Sequence, residues 1–213
     1  MTALIWDGLG DKVYETGVDR GVLYLSDGRG VPWNGLTAVE DRTVSTVTPL
    51  YWDGVKYNDI FVVGDFAGSL KAYTYPDEFM EFEGVQEVGV GLFVTGQLPK
   101  TFGLSYRTRI GNDQTSELGH KIHILSNITA VPSTKAFKTN SRTMAAVEFE
   151  WNLTAVPSHI PGYKPTSHLM FDTSKSSPEM IADLEAILYG SDTTDPELPS
   201  FENLVYLASS LTP

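Results

Sequence analysis

The chain contains no cysteine, so thiol nucleophiles, thiolate metal ligands and disulfides are excluded together. Any catalysis would rest on histidine, serine or paired carboxylates. The four histidines are His120, His123, His159 and His168. His120 and His123 are three apart on a segment that alternates like a strand, which sends them to opposite faces, whereas strand ligands for a metal favour a spacing of two. Glu117 with His120 would make at most a loop site, and a solvated loop histidine explains the pair more simply. There is no H-E-x-x-H and no EF-hand loop. Ser105, in Gly103-Leu104-Ser105, lacks the glycine that completes G-x-S-x-G and falls in mid-strand. Residues 84–91 are glycine-rich, but Leu92-Phe93-Val94 follows where a phosphate cradle needs a helix, so a hairpin or loop is expected. Glu148 and Glu150 share one strand face, as the carboxyls of glycosidases do when about 5–9 Å apart. Their face is the polar one, and nothing in the pattern supplies a pocket to raise a carboxyl pKa. Trp33 and Trp52 stand beside the turns Trp33-Asn34-Gly35 and Trp52-Asp53-Gly54, where rings can stack on a sugar or a neighbouring subunit, or close the edge of a core. Trp151 falls on an apolar face and is assigned to the core. The residues predict no catalytic site, no cofactor and no metal.

The elements that would hold these groups are mainly strands. Phe102, Leu104, Tyr106 and Ile110 share one face of 102–110, and Ser105, Arg107 and Arg109 share the other. Val147, Phe149, Trp151, Leu153 and Ala155 alternate with Glu148, Glu150, Asn152 and Thr154. A third strand is expected over 121–131, with Ile122, Ile124 and Ile128 on one face, and a fourth where Leu70, Ala72 and Thr74 alternate with Lys71, Tyr73 and Tyr75. Weaker strand patterns cover 21–26, 36–44 and 167–172. Asp27-Gly28 and Asp53-Gly54 are hairpin dipeptides, because glycine accepts positive φ without a Cβ clash. The polar stretch 111–119 joins two long antiparallel strands. Short strands at this spacing predict an all-β sandwich or barrel.

A near-repeat, 127–133 (NITAVPS) against 152–158 (NLTAVPS), ends each copy in proline, which cannot donate to a ladder. Two copies are too few for a solenoid. One helix is predicted at about 178–189. Ser177 serves as N-cap and Pro178 as the first residue, Met180, Ile181, Leu184, Ile187 and Leu188 form the apolar stripe, and Gly190 gives a left-handed stop. A shorter helical turn over 77–83 would pack Phe79 on Phe82. After Ser191 the chain turns acidic and then apolar again at Phe201, Leu204, Val205, Tyr206 and Leu207, the pattern of a tail that docks on its own domain or a neighbour.

The 213 residues, 41% hydrophobic, suit a single β-rich unit with a packed core. A net charge of −12 argues against tight binding to nucleic-acid phosphates. No apolar run approaches the ~20 residues of a membrane span. The first residues lack the basic and apolar regions of a signal peptide, so the sequons at Asn127 and Asn152 are expected to be ordinary strand sequence.

Five segments carry a resemblance: 14–24 (YETGVDRGVLY), 31–36 (VPWNGL), 70–79 (LKAYTYPDEF), 102–113 (FGLSYRTRIGND) and 177–190 (SPEMIADLEAILYG). In this order they resemble the major tail protein of siphophages, in particular that of phages of actinobacteria. None of the segments is a chemical motif. The resemblance implies a mainly β, phage tail tube-like sandwich or barrel with one flanking helix, formed by one domain over 1–213 with an N-terminal arm (about 1–12) and a C-terminal docking tail (about 191–213). It implies a structural virion protein, not an enzyme, made in the host cytoplasm and residing in the tail. Hexameric rings of the chain would stack into a tube through which DNA is ejected, in the company of tape measure, distal tail and tail terminator proteins. DNA would be a partner only in transit, and no membrane is involved. Glu148 and Glu150 are then the expected lumen residues, because acidic groups keep DNA from sticking. Arg107, Arg109, Trp33, Trp52, Phe201 and Leu204 are the expected subunit contacts, with 84–100, 111–119, the N-terminal arm and the tail after Ser191 as contacts between rings. The alternatives are a distal or minor tail protein, a carbohydrate-binding β-sandwich using Trp33 and Trp52, and a hydrolase using Glu148 and Glu150.

Overall fold

The computed structural model describes residues 3, 4, 6–137, 139 and 146–210. Residues 1, 2 and 5 of the expected arm and 211–213 of the expected tail lie outside them. An eight-stranded antiparallel sheet runs in the order β2 (Gly30–Trp33), β1 (Tyr14–Tyr24), β9 (Phe102–Gly111), β10 (Gly119–Pro132), β11 (Phe149–Ala155), β6 (Ala67–Ala72), β3 (Leu36–Asp41), with β12 (His168–Asp172) also pairing with β10. Two hairpins stand apart from it: β4 (Thr46–Trp52) with β5 (Val55–Val62), and β7 (Gln86–Gly89) with β8 (Leu92–Val94). Strand β11 begins at Phe149, two residues later than the alternation predicts.

The sheet is folded over on itself. Trp33 on β2 and Trp151 on β11 are four strand positions apart, roughly 19 Å in a flat sheet, yet their ring centroids are 5.8 Å apart. Both join Leu23, Leu70, Phe79, Phe82, Phe102, Leu104, Leu125, Ile128 and Leu153 in one interior cluster. Gly35 (φ 85°) makes the tight turn from β2 to β3, and a Cβ there would lie 2.7 Å from the Thr74 methyl. At the same corner the indole N–H of Trp33 donates to the Thr74 carbonyl at 2.9 Å.

Over residues 21–24 of β1 and 122–125 of β10 both faces are buried. Leu23 points into the interior, while Val22 and Tyr24 point outward beneath the two helices α1 (Pro178–Tyr189) and α2 (Phe201–Ser210). Ile122 and Ile124 of β10 share this outer layer with Leu184, Leu188, Phe201 and Leu204. Ile128 does not, against the sequence expectation: the register slips between Leu125 and Ile128, Asn127 takes φ 53°, and the next side chain enters the interior cluster. One extra residue reverses every following face. The same bulge lets β10 change partners, from β12 over Lys121–Leu125 to β11 over Ile128–Pro132. The two near-repeats are thereby explained, since they lie side by side as antiparallel neighbours with Ile128 opposite Ala155 and Pro132 opposite Trp151.

The predicted helix is α1, and the Ser177 hydroxyl caps it by accepting from the Met180 N–H at 3.3 Å. Gly190 has positive φ (80°), but its ψ of 171° takes it out of the left-handed helical region, so the stop is an extended glycine and not a left-handed cap. The turn at Asp77–Glu83 is a 3-10 helix whose Phe79 and Phe82 rings are 6.4 Å apart. Helix α2 was unpredicted: Phe201 and Leu204, three apart, reach the core while Tyr206 stays exposed.

Candidate functional site

The β4–β5 hairpin forms a two-stranded sheet of its own, apart from the eight-stranded sheet. Asp53 (φ 47°) and Gly54 (φ 75°) form its two-residue turn with both residues at positive φ. The strands continue far beyond any packing surface, and nearly every residue from Thr46 to Val62 is exposed. The pairs Thr46–Val62, Thr48–Ile60 and Leu50–Asn58 alternate with Val47–Phe61 and Pro49–Asp59. Leu50, Ile60 and Val62 thus lie on one face, and Val47 and Phe61 on the other; all are exposed, as are Tyr51, Trp52, Val55 and Tyr57 near the tip. An isolated two-stranded hairpin is marginal in water, and a contiguous apolar surface of this kind marks an interaction site. The β7–β8 hairpin repeats the theme with Val88, Val90, Leu92 and Phe93, and the residues before β1 add Leu4, Trp6 and Leu9. This arm is tied to the 111–119 loop, where the Gly10 N–H donates to Asp113 at 3.0 Å and the Asn112 amide donates to the Gly10 carbonyl at 3.1 Å.

The residues predicted as subunit contacts separate into two sets. Trp52 is 72% exposed, at the hairpin tip. Trp33, at 2%, is inside the aromatic core against Phe79 and Trp151, so it is unavailable in the free chain and the proposed Trp33–Trp52 sugar platform does not exist. Phe201 and Leu204, each at 3%, cover α1 and the outer sheet face of their own chain. Arg107 and Arg109 already have partners within the chain. Arg107 is buried and donates to Asp19 at 2.8 and 3.2 Å, and Arg109 donates to Asp19 at 3.1 Å. Hydrogen bonding from Arg107 outweighs burial and holds the Asp19 carboxyl below its usual range. The local pattern could not reveal this, because Asp19 lies between two register shifts of β1.

The predicted lumen residues lie on the outward face of the β3–β6–β11 portion of the sheet. Exposed Glu148 accepts from the Thr37 hydroxyl at 2.6 Å. Half-buried Glu150 is 3.9 Å from Lys71, which also pairs with Glu40 at 3.2 Å, and Arg42 donates to Glu40 at 2.6 Å. Hydrogen bonds from Arg42 and Lys71 hold the Glu40 carboxyl low. The face carries three carboxylates against two cations, with Glu40 and Glu150 ion-paired and Glu148 hydrogen-bonded to Thr37.

Two buried polar groupings escaped the sequence. His123 and His168, on the paired strands β10 and β12, hydrogen-bond at 3.1 Å between Nδ1 and Nε2; the far side of His123 stacks on Tyr106 at 4.7 Å. Thr108 and Glu15 approach His123 at 3.2 and 3.6 Å, and Asp41 approaches His168 at 3.8 Å. Burial and then the neighbouring His168 push His123 down to about 4, and burial also lowers His168. The second is Glu83, whose carboxylate accepts from Lys135 at 2.9 Å on both oxygens and from the Trp151 indole N–H at 2.7 Å. No group of three or more potential metal ligands occurs among the described residues.

No protein-family model and no curated protein matches the chain. Among solved structures it is similar in shape to the tube terminating cap of the anti-feeding prophage (12% identity, 81% of this chain and 97% of that one, TM-score 0.38). It also resembles the sheath–tube complex of the PVC extracellular contractile injection system (15%, 72% and 89%, TM-score 0.36) and the sheath/tube terminator of that system (17%, 74% and 97%, TM-score 0.35). All three superpositions are loose.

Proposed function

We propose that this chain is a self-assembling structural subunit of a phage-type tail tube. The observation that carries the reading is the β4–β5 hairpin, which projects into solvent with apolar side chains on both faces. A hairpin embedded on one side needs one covering surface; this one needs two, as it would find between copies in a ring or stack. The order and extent of the five resembling segments support the same reading. On it, copies close into hexameric rings, which removes free strand edges, and rings stack into the tube of a siphophage tail. Tape measure, distal tail and terminator proteins are the further partners, and the sheet face bearing Glu40, Glu148 and Glu150 lines the lumen through which DNA passes.

The test is electron microscopy of the purified protein beside a variant in which residues 46–62 are replaced by two glycines. The wild type is expected to form rings or tubes, and the excised variant to keep its circular dichroism and cooperative melting while sedimenting as a monomer. A wild type that remains monomeric across the accessible concentration range would falsify the proposal. Lumen placement is checked separately, by reversing Glu148 and Glu150 to lysine: slowed DNA ejection from particles of normal length is expected, and unchanged ejection rejects it.

A further inference from the structure

A cleft of about 630 Å³ opens where β1 is most irregular, between the β2–β3 turn and the end of α1. Two register shifts, at Thr16/Asp19 and Asp19/Val22, interrupt β1 here. Arg20, inside the second shift, adopts φ 46°, a conformation that is strained for any residue with a Cβ and is concentrated at functional sites. The floor is apolar, with Val18, Val22 and Leu36. Arg20 stands at the rim, its guanidinium over the Tyr189 ring at 5.8 Å and 3.7 Å from Glu185, with half of the side chain still exposed. The cleft therefore asks for an apolar wedge carrying an acceptor or an anion.

The chain presents such a wedge. The hairpin tip reads Tyr51-Trp52-Asp53-Gly54-Val55, a carboxylate flanked by exposed aromatic and aliphatic side chains. Its seven-residue strand β4 extends roughly 23 Å. The β7–β8 tip, Val90-Gly91, carries no charge. The N-terminal arm holds the same tripeptide, Trp6-Asp7-Gly8, again with positive φ at the aspartate, but it is moored three residues on, at Gly10, to the 111–119 loop, which shortens its reach.

We propose that the β4–β5 tip of one copy seats in the β1–α1 cleft of the next, with Trp52 on the apolar floor and Asp53 facing the half-exposed Arg20 at the rim. This rests on the self-assembly reading above and names its contact. Tryptophan and arginine are the side chains that most often dominate an interface, and the pairing is head-to-tail, so it closes a ring or extends a filament.

Because the chain lacks cysteine, a disulfide test has no background. Asp53→Cys protein mixed with Arg20→Cys protein is expected to give a cross-linked dimer under mild oxidation, and neither alone should do so efficiently. Arg20→Gly supplies a variant that keeps the local backbone, since glycine suits φ 46°, and its melting is measured beside wild type. It is expected to raise the concentration needed for assembly about tenfold, and Trp52→Ala at least about thirtyfold. The swap Arg20→Asp with Asp53→Arg should restore assembly lost in each single variant. If Trp52→Ala blocks assembly but Arg20→Gly and Arg20→Asp assemble like wild type, the hairpin docks elsewhere: this proposal fails and self-assembly stands. Cross-linking of Arg20→Cys to Asp7→Cys in place of Asp53→Cys assigns the cleft to the arm and also overturns it. A wild type that never assembles removes both readings.

Discussion

At the residue scale the two histidines and the buried glutamate tie strands together through charge states. The sign of the histidine effect follows from both folded pKa values being lowered, His123 to about 4 against an ordinary 6.5. The unfolded chain then binds protons that the native chain refuses, so the neutral pair contributes fully above about pH 6.5 and its contribution is lost as the pH falls through 4. Glu15 and Asp41 soften the loss but do not reverse it. Substituting His123→Phe, which keeps a ring against Tyr106, should flatten the stability profile between pH 6.5 and 4 by up to about 1.4 kcal/mol per pH unit, read from urea midpoints. For Glu83, removal of Lys135 strands a carboxylate that is almost wholly buried. Lys135→Met is expected to cost about 3 kcal/mol, and adding Glu83→Gln should recover most of it, because a Gln oxygen still accepts from the Trp151 indole. A Lys135→Met variant with an unchanged urea midpoint would mean that water already solvates this carboxylate. Neither grouping was legible beforehand. His168 meets His123 only through the β10–β12 register, and Lys135 meets Glu83 from 52 positions away.

At the element scale, legibility followed periodicity. Strands β9 and β11, helix α1, the Asp53-Gly54 hairpin and the loop between β9 and β10 are all written in local pattern, and the structure has each of them. What local pattern lacks is the partner. Trp33 beside an Asn-Gly turn reads equally as a subunit contact or as the edge of a core, and the folding-over of the sheet puts it in the core. Ile128 reads as a companion of Ile124, until the bulge at Asn127 reverses it. The chain after residue 191 reads as a tail that docks on itself or on a neighbour. In the structure Pro196 and Glu197 bond to Gly30 and Ile187, and Phe201 and Leu204 seal the outer layer. Deletion of 196–213 should therefore damage folding at least as much as assembly. Losing the two buried side chains alone costs roughly 4 kcal/mol, so the truncated chain is expected to melt at lower temperature and to aggregate. A truncated subunit with wild-type melting would show that this layer contributes little.

For the molecule as a whole, two opposing terms would govern the proposed association. Each copy brings a formal charge of −12, so copies repel over the whole surface, while the hairpins offer apolar area and the proposed Arg20–Asp53 contact would offer one local attraction. Raising ionic strength from 10 to 150 mM shortens the screening length from about 30 to about 8 Å. Over that change the long-range repulsion, spread across many separated charges, is screened strongly; a contact at hydrogen-bond distance inside a cleft is screened little, and apolar burial is not weakened at all. Repulsion therefore loses most, and added salt should lower the concentration needed for assembly. The sign distinguishes this chain from one held together mainly by surface ion pairs, which salt would dissociate. Sedimentation at a series of salt concentrations reads it directly, and the Arg20→Gly variant should retain the same slope, displaced to higher protein concentration. Assembly that weakens steadily as salt rises would mean that ion pairs, and not the hairpin's apolar faces, hold the copies together.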